Sequence, residues 1–306
     1  MLVATLGILI GIGLPLQTAI NSKLKTATKS PFIASFISFT IGCVALSLLV
    51  ITIKPNLNSV QISHQPLWLW IGGVLGAIFL TGNILLLPKI GSFQTVLMPI
   101  IGQVAMSMII DSLGLFDSKV IPFNILKLIG ATVVLLGATV TIYTPQNRAV
   151  RVPKANKKWS LRICGILTGI FSAMQTAING HLGIVYGSSL FAATISFLVG
   201  WLCLLALILI KDHSVISALK LHVFRQLPLW SWLGGIIGAS FVLGNVVMMP
   251  ILGTGLSITI VLTGQLLGSI LIGNFGWFDV PKSAITRNEI IGLLLIISGI
   301  LIMKLF

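Results

Sequence analysis

The pentapeptide Gln-Thr-Ala-Ile-Asn occupies residues 17–21 and occurs again at residues 175–179, so position 17 corresponds to position 175 at an offset of 158 residues. At the same offset, Ser38-Phe39 is repeated as Ser196-Phe197. Further along the chain the offset becomes 162 residues: Trp68, Gly72, Gly76, Gly82, Asn83, Gln103, Phe116 and Asp117 are repeated as Trp230, Gly234, Gly238, Gly244, Asn245, Gln265, Phe278 and Asp279. The chain is therefore an internal duplication.

The sequence between these motifs is strongly apolar. Of 306 residues, 56% are hydrophobic and only 8% are charged, which is too little charge for the surface of a soluble domain. A helix of roughly 20 apolar residues crosses about 30 Å of hydrocarbon. Barrel strands alternate polar and apolar residues, whereas runs such as 291–302 are apolar on both faces. We predict an all-α integral membrane protein with ten transmembrane helices, at residues 2–20, 31–53, 67–87, 92–113, 123–143, 161–179, 188–210, 229–250, 255–275 and 289–305.

Each copy of the repeat contains five predicted spans. Because five is odd, two identically folded copies joined in series face opposite ways across the membrane. The sequence therefore predicts two inverted five-helix repeats, residues 1–145 and 161–306, joined by a basic linker at 146–160. Inverted repeats of this kind are a recurrent construction of secondary transporters.

The basic residues indicate an orientation. A net charge of +14 would suggest nucleic acid as a partner for a soluble protein, but here the basic residues lie in the loops, so we expect no nucleic acid. Short cytoplasmic loops accumulate Lys and Arg. Fifteen of the 19 basic residues fall on the side of the linker, and four fall on the other: Lys54, Lys119, Lys127 and Lys304. This asymmetry predicts a cytoplasmic linker, with both termini outside a plasma membrane.

The repeated motifs resemble those of a known superfamily. Duplicated five-helix halves, the Gln-Thr-Ala-Ile-Asn signature and the Gly-Asn pairs at 82–83 and 244–245 are similar to the EamA-like drug/metabolite transporter (DMT) superfamily. Within it, the chain resembles the fused, two-domain antiparallel members of the DUF606 or YdcZ family over essentially its whole length. The resemblance implies a bacterial inner-membrane transporter of small metabolites or drugs. Other branches of the superfamily usually place both termini in the cytoplasm, opposite to the orientation that the charges predict.

Amide side chains inside the predicted spans are candidates for substrate binding, because a polar group in lipid is costly unless it hydrogen-bonds. Gln103 and Gln265 lie midway along the fourth and ninth spans, so inversion would bring both near the bilayer midplane, where alternating-access sites lie. An amide donates and accepts, which suits a neutral or zwitterionic solute. The alternative is helix–helix hydrogen bonding. The predicted substrate-binding residues are Gln103, Gln265, Gln17, Asn21, Gln175, Asn179, Asn83 and Asn245.

Carboxylates within the spans are candidates for proton coupling. Asp111, near the end of the fourth span, is the predicted coupling residue, although its repeat counterpart is Gly273. Asp117 and Asp279 share a Gly-x-Phe-Asp context at the start of a loop, where we expect each to cap the next helix. Four tryptophans begin the third and eighth spans and are expected to be interfacial anchors: Trp68, Trp70, Trp230 and Trp232.

These features favour a secondary carrier that moves a small solute by alternating access. We expect no enzymatic activity, no cofactor and no metal, because Cys and His do not fall at metal-ligand spacing and no phosphate-binding glycine loop is visible. The expected partners are the solute and the lipid bilayer, and the sequence leaves a homodimer open. The alternatives are a lipid or prenyl-carrier flippase and a non-transporting membrane assembly protein; solute flux in liposomes distinguishes them.

Overall fold

The regular structure of the described chain is entirely helical. The computed structural model describes residues 2–57, 65–122, 124–142, 155–211, 227–280, 282 and 286–305. The α-helices are α1 (Leu2–Thr28), α2 (Pro31–Ile53), α3 (Gly72–Leu113), α4 (Ile125–Ile142), α5 (Ala155–Tyr186), α6 (Ser189–Lys211), α7 (Leu233–Leu252), α8 (Thr254–Phe275) and α9 (Arg287–Leu305). Single turns of 3-10 helix occur at Leu67–Trp70, Leu115–Asp117, Leu229–Trp232 and Trp277–Asp279.

Helix α3 consists of two helices that meet at Gly91. Gly91 has φ 82° and ψ 166°, a conformation that a residue with a side chain rarely adopts. We call residues 72–90 α3a and residues 92–113 α3b. Gly253, its repeat counterpart, has nearly the same conformation (φ 80°, ψ 168°) and separates α7 from α8. The duplication seen in the sequence thus extends to the backbone of this junction.

The apolar helices follow the predicted order. Within the described ranges, seven helices are long and apolar enough to cross a membrane, and two shorter apolar helices lie at Ile125–Gly137 and Ile290–Ile302. Because α3 is interrupted at Gly91, these helices comprise ten apolar segments. The prediction of an all-α protein with several membrane-spanning helices is confirmed. That all ten segments cross the bilayer stays a prediction.

Several helix boundaries differ from the prediction, and in α5 both do, since this helix also continues to Tyr186 instead of ending at residue 179. Helix α1 continues to Thr28 instead of ending near residue 20, and α5 begins at Ala155, inside the predicted linker at 146–160. Hydropathy measures only the apolar part of a helix, whereas the backbone can continue its hydrogen bonding into the polar interface. The turn after α1 explains where that helix stops: Lys29 is left-handed (φ 57°), and Ser30 then caps α2 by accepting a hydrogen bond from Ile33 N.

Equivalent helices of the two copies pack together in opposite directions. In the contact between α4 and α9, a Cβ on Gly137 would lie 2.6 Å from the oxygen of Gly292. At the other end of the contact, a Cβ on Gly299 would lie 2.5 Å from the oxygen of Gly130. The start of α4 therefore lies beside the end of α9, so these two helices are antiparallel. Helices α2 and α6 also contact each other, with the rings of Phe39 and Phe197 4.8 Å apart.

The first helix of each copy packs inside the other copy. A Cβ on Gly11 of α1 would lie 2.2 Å from the oxygen of Val261 in α8, and a Cβ on Gly169 of α5 would lie 1.9 Å from the oxygen of Pro99 in α3b. Only a hydrogen atom fits at these two equivalent positions, so the backbones touch. The two copies are interlocked, and each of the two larger apolar core clusters contains residues of both copies.

Candidate functional site

Asn21 of α1 lies at a three-helix contact. Its Nδ2 donates to Ser38 Oγ of α2 at 3.1 Å, and the side chain is fully buried. Its Oδ1 has no hydrogen-bond partner and lies 2.4 Å from where a Cβ on Gly234 of α7 would be. The Cα–H of Gly234 therefore points at this oxygen, a weak interaction that recurs between closely packed helices. The equivalent residues repeat the arrangement: Asn179 Nδ2 donates to Ser196 Oγ at 2.9 Å, and a Cβ on Gly72 would lie 2.1 Å from Asn179 Oδ1.

Gln17 and Gln175 lie one turn before these asparagines. Both are buried, and each side chain lies against a glycine of the other copy. A Cβ on Gly238 would lie 2.2 Å from Gln17 Nε2, and a Cβ on Gly76 would lie 2.4 Å from Gln175 Nε2. The four amides of α1 and α5 thus sit where the first helix of one copy crosses the third helix of the other. This geometry favours the helix–helix alternative for these four residues.

The two central glutamines have different surroundings. Gln103 of α3b is 3% exposed, and its Nε2 donates to Ser172 Oγ of α5 at 2.9 Å. Gln265 of α8 is 2% exposed. The repeat counterpart of Ser172 is Leu14, whose side chain cannot accept a hydrogen bond. Two buried atoms are left without a hydrogen-bond partner, Gln103 Oε1 and Gln265 Nε2.

Unmet hydrogen-bonding capacity of this kind is unfavourable. A buried polar atom without a partner costs about 1–3 kcal/mol, and native proteins keep few of them. Here one atom is an acceptor and the other a donor, and they occupy equivalent positions midway along α3b and α8. Of the predicted residues, Gln103 and Gln265 therefore have the strongest claim to bind a solute.

Asn83 and Asn245 differ from each other. Asn245 Nδ2 donates to the oxygen of Phe241 in its own helix at 2.9 Å, whereas Asn83 Oδ1 is buried without a partner. Beside Asn83, Lys25 Nζ donates to the oxygen of Ile84 at 3.4 Å. This carbonyl is free because Pro88, four residues on, has no N–H. The sequence reasoning missed Lys25, although a proline inside a span signals an unpaired carbonyl four residues earlier.

Asp111, the predicted coupling residue, caps a neighbouring helix. Its Oδ2 accepts a hydrogen bond from Gly255 N at 3.1 Å, in the first turn of α8. A carboxylate is stabilised there because the first N–H groups of a helix are unpaired and carry partial positive charge. The structure therefore gives Asp111 a structural role, and its part in proton coupling stays a prediction.

The expectation that Asp117 caps the next helix is wrong. At the start of α4 the amide of Lys127 donates to Asn124 Oδ1 at 2.8 Å, so Asn124 is the capping residue. Asp117 Oδ2 instead lies 3.4 Å from His181 Nε2 of α5. The local motif was a poor guide because the partner of Asp117 lies in the other copy of the repeat.

Asp279, the counterpart of Asp117, forms an ion pair with Lys23 of α1. Lys23 and His181 occupy equivalent positions, 158 residues apart, so the two pairs are equivalent. Each pair is accompanied by an aromatic contact: the ring centroids of Trp68 and Phe116 are 5.5 Å apart, and those of Trp230 and Phe278 are 5.1 Å apart. We call these groups the His cluster (Trp68, Phe116, Asp117, His181) and the Lys cluster (Trp230, Phe278, Asp279, Lys23). Trp68 and Trp230 thus have partners within the protein besides any role as anchors.

Both clusters contain a strained turn. Phe116 and Asp117 have φ values of 58° and 54°, and Phe278 and Asp279 have φ values of 58° and 62°. The left-handed region costs of order 1–3 kcal/mol for a residue with a side chain, and such strain is concentrated at functional sites. The same two-residue conformation at equivalent positions shows that the duplication extends to the backbone of these turns.

The two clusters lie at opposite ends of the helix bundle. Helices α1 and α2 form a hairpin across residues 29–30, and α5 and α6 form one across residues 187–188. Gly42 meets Phe197 whereas Phe36 stacks on Trp201, so α2 and α6 are antiparallel. Helices α1 and α5 must then also run in opposite directions. Their C-terminal ends, which carry Lys23 and His181, are at opposite ends of the molecule.

A bundle of long apolar helices with buried amides inside it defines a multi-pass membrane protein. Residues 2–140 and 160–302 match the family described as "Putative inner membrane exporter, YdcZ", and the chain belongs to this family. The family and the transporter class that the sequence predicted are thereby confirmed. The family description gives transport in general and no substrate.

The fold also occurs in solved structures. A crystal structure described only as that of a protein superposes with a TM-score of 0.61 at 16% sequence identity, covering 98% of this chain and 96% of the other. At this identity the likeness shows the fold alone. No curated protein matches the chain.

Proposed function

We propose that the protein is a secondary carrier that moves a small neutral or zwitterionic solute across the inner membrane by alternating access. One observation carries the proposal: equivalent side-chain clusters lie at opposite ends of the bundle, and buried amides with unmet hydrogen bonds lie between them. Alternating access requires two ends that open in turn and a central site that either end can reach.

The proposal includes ten spans arranged as two inverted five-helix halves. The antiparallel packing of α4 on α9 supports the inversion, because equivalent helices run in opposite directions. A pseudo-twofold axis that relates such helices lies in the membrane plane, so the two halves have the same fold and opposite orientations across the membrane. In a carrier of this kind the two halves can exchange conformations, which converts one open end into the other.

The proposed solute site consists first of Gln103 and Gln265. A donor on the solute would satisfy Gln103 Oε1, and an acceptor would satisfy Gln265 Nε2. The other six amides and Asp111 remain candidates with lower priority, because most of them have structural contacts that account for their burial.

Solute flux tests the function directly. The purified protein is reconstituted into liposomes that contain a mixture of neutral and zwitterionic metabolites, and their loss is followed by mass spectrometry. We expect at least one solute to leave several times faster than from protein-free liposomes and to exchange in counterflow. Flux of no solute, together with scrambling of a labelled lipid, would instead indicate a flippase, and neither activity would favour an assembly protein.

The orientation is tested separately with single cysteines. Cys43, Cys164 and Cys203 are first replaced by alanine, and one cysteine is then placed in the linker at 146–160 or at Asn56 after α2. The charge asymmetry predicts that an impermeant thiol reagent added to intact cells labels residue 56 rapidly and leaves the linker unlabelled. The reverse labelling pattern would show the orientation opposite to the one proposed, and it would not contradict the fold.

A further inference from the structure

The two end clusters differ in the chemistry of one residue. The cation of the Lys cluster is the ammonium group of Lys23, and ammonium side chains ordinarily change charge only near pH 10. Histidine is the side chain whose charge ordinarily changes between about pH 5 and 8. The repeat has thus placed an imidazole beside the aspartate at one end of the bundle and an ammonium group beside the equivalent aspartate at the other.

The charged surroundings of His181 are simple. Asp117 is the carboxylate that lies against it, and Lys119 follows on the same loop. On α5 itself Tyr186 packs on Trp70 and Phe191, and at the end of α3b Asp111 is held by Gly255 N. The imidazole also lies against an uncharged aromatic ring: the ring centroids of His181 and Trp68 are 5.6 Å apart.

We propose that the His cluster is a proton-binding site that holds one end of the bundle closed when a proton is bound. The Lys cluster is its proton-insensitive counterpart at the opposite end. This inference deepens the proposed function, on which it rests, because closure of an end matters only in a protein that opens its ends in turn.

The proton acts through the pair of His181 and Asp117. A proton taken from water by the imidazole makes His181 a cation, and Nε2–H then donates a charge-assisted hydrogen bond to Asp117 Oδ2. When the proton returns to water, the attraction between opposite charges is lost. The strained turn at 115–117 then loses the attraction that holds it against α5, so Phe116 can separate from Trp68. Acid therefore favours closure at this end.

The predicted orientation places the His cluster at the outer face of the membrane. A proton from outside would close the outer end and favour the conformation that is open to the cytoplasm. The size of the effect is bounded by exposure: 20% of the His181 side chain and 68% of the Asp117 side chain are exposed. Exposed ion pairs shift a conformational equilibrium by about two- to fivefold, so the proton biases the ends and does not lock them.

Distances between spin labels test this inference without any solute. In the cysteine-free background, one label pair replaces Lys119 and Ile184 beside the His cluster, and a matched pair replaces Thr26 and Lys282 beside the Lys cluster. All four positions are exposed, and Thr26 is the repeat counterpart of Ile184. Double electron–electron resonance in lipid nanodiscs is recorded at pH 5 and pH 8.

Raising the pH from 5 to 8 should increase the long-distance population of the 119/184 pair two- to fivefold. The variant His181→Lys should abolish this response and keep the distance short at both pH values. Asp117→Asn should also abolish the pH response, and the long distance should predominate at both pH values. In the reciprocal variant Lys23→His, the 26/282 pair should gain a response of the same sign.

An unchanged 119/184 distribution between pH 5 and 8, or a response that persists in His181→Lys, would overturn the proton site. Each variant is first compared with the parent by size-exclusion chromatography, so that an unfolded sample is not taken for an open one. The two proposals fail separately. Absence of flux in liposomes would contradict the carrier and leave the distances as evidence for the site, whereas flux with pH-independent distances would contradict the site alone.

Discussion

Gly169→Ala should leave little or no folded protein in the membrane. The added Cβ would lie 1.9 Å from the oxygen of Pro99 and 2.6 Å from its carbonyl carbon, well inside contact distance. Both atoms belong to the backbone of α3b, so no side chain can move aside, and α5 and α3b must separate along their whole contact. Overpacking ordinarily costs about 1–3 kcal/mol where side chains can adjust, and here we expect at least the upper value. Size-exclusion chromatography of detergent extracts after heating measures the loss.

Gly244→Ala is the matched control. Gly244 also lies inside a helix, so both substitutions gain the same intrinsic helix propensity, about 1 kcal/mol. Its Cβ would meet only the side chain of Ile10, and the one close contact, Cδ1 at 2.5 Å, is a terminal methyl group that can rotate away. We expect a stability close to that of the parent. Gly11→Ala, the repeat counterpart of Gly169→Ala, should be as damaging, because its Cβ would lie 2.2 Å from the oxygen of Val261. Equal stability of all three variants would contradict the backbone contact.

These glycines illustrate what the sequence could predict and what it could not. The repeat from residues 17–21 to 175–179 and the long apolar runs predict the helices, because membrane thickness and backbone hydrogen bonding leave a chain few alternatives. The glycines at 72, 76, 234 and 238, in the third and eighth spans, indicate close packing. Their partners could not be inferred, because nothing local shows that the first helix of one copy enters the other copy.

The end clusters were not predicted from the sequence, for the same reason. Lys23 and Asp279 are 256 residues apart, and each residue alone resembles an ordinary loop charge. The expectation for Asp117 followed from its local context at the end of a span, whereas its structural partner is a histidine of the other copy. The alignment of the two copies places His181 opposite Lys23. A histidine at the position of a lysine, next to aspartates repeated in both copies, is the signal that could have revealed the clusters.

The positions of the two candidate glutamines along their helices were easier to predict, because depth in the membrane can be counted from the ends of a helix. Gln103 and Gln265 lie near the middle of α3b and α8, as the spans predict. Their unequal surroundings follow from one difference between the copies, Ser172 in one and Leu14 in the other. The sequence contains that difference, but only the structure shows that position 172 contacts position 103.

Gln265→Met should lower solute flux about tenfold or more while leaving the fold as stable as the parent or more stable. Methionine nearly matches glutamine in volume, so no cavity is created. A solute that loses its hydrogen bond to a buried amide loses about 1–3 kcal/mol of binding, and roughly 1.4 kcal/mol corresponds to a factor of ten. Flux is measured per folded protein, over a range of solute concentrations, and unfolding is followed by temperature.

The opposite signs of the two readouts identify the role of Gln265. If Gln265 only held helices together, its removal would lower the unfolding temperature, and flux per folded protein would hardly change. Because its Nε2 has no partner in the protein, removing the amide instead relieves an unfavourable buried group, as binding residues often impose a cost on stability. Asn274→Ala, at an exposed position of the same helix, should change neither readout. Gln103→Met should lower flux similarly but should also cost some stability, because it loses the hydrogen bond to Ser172.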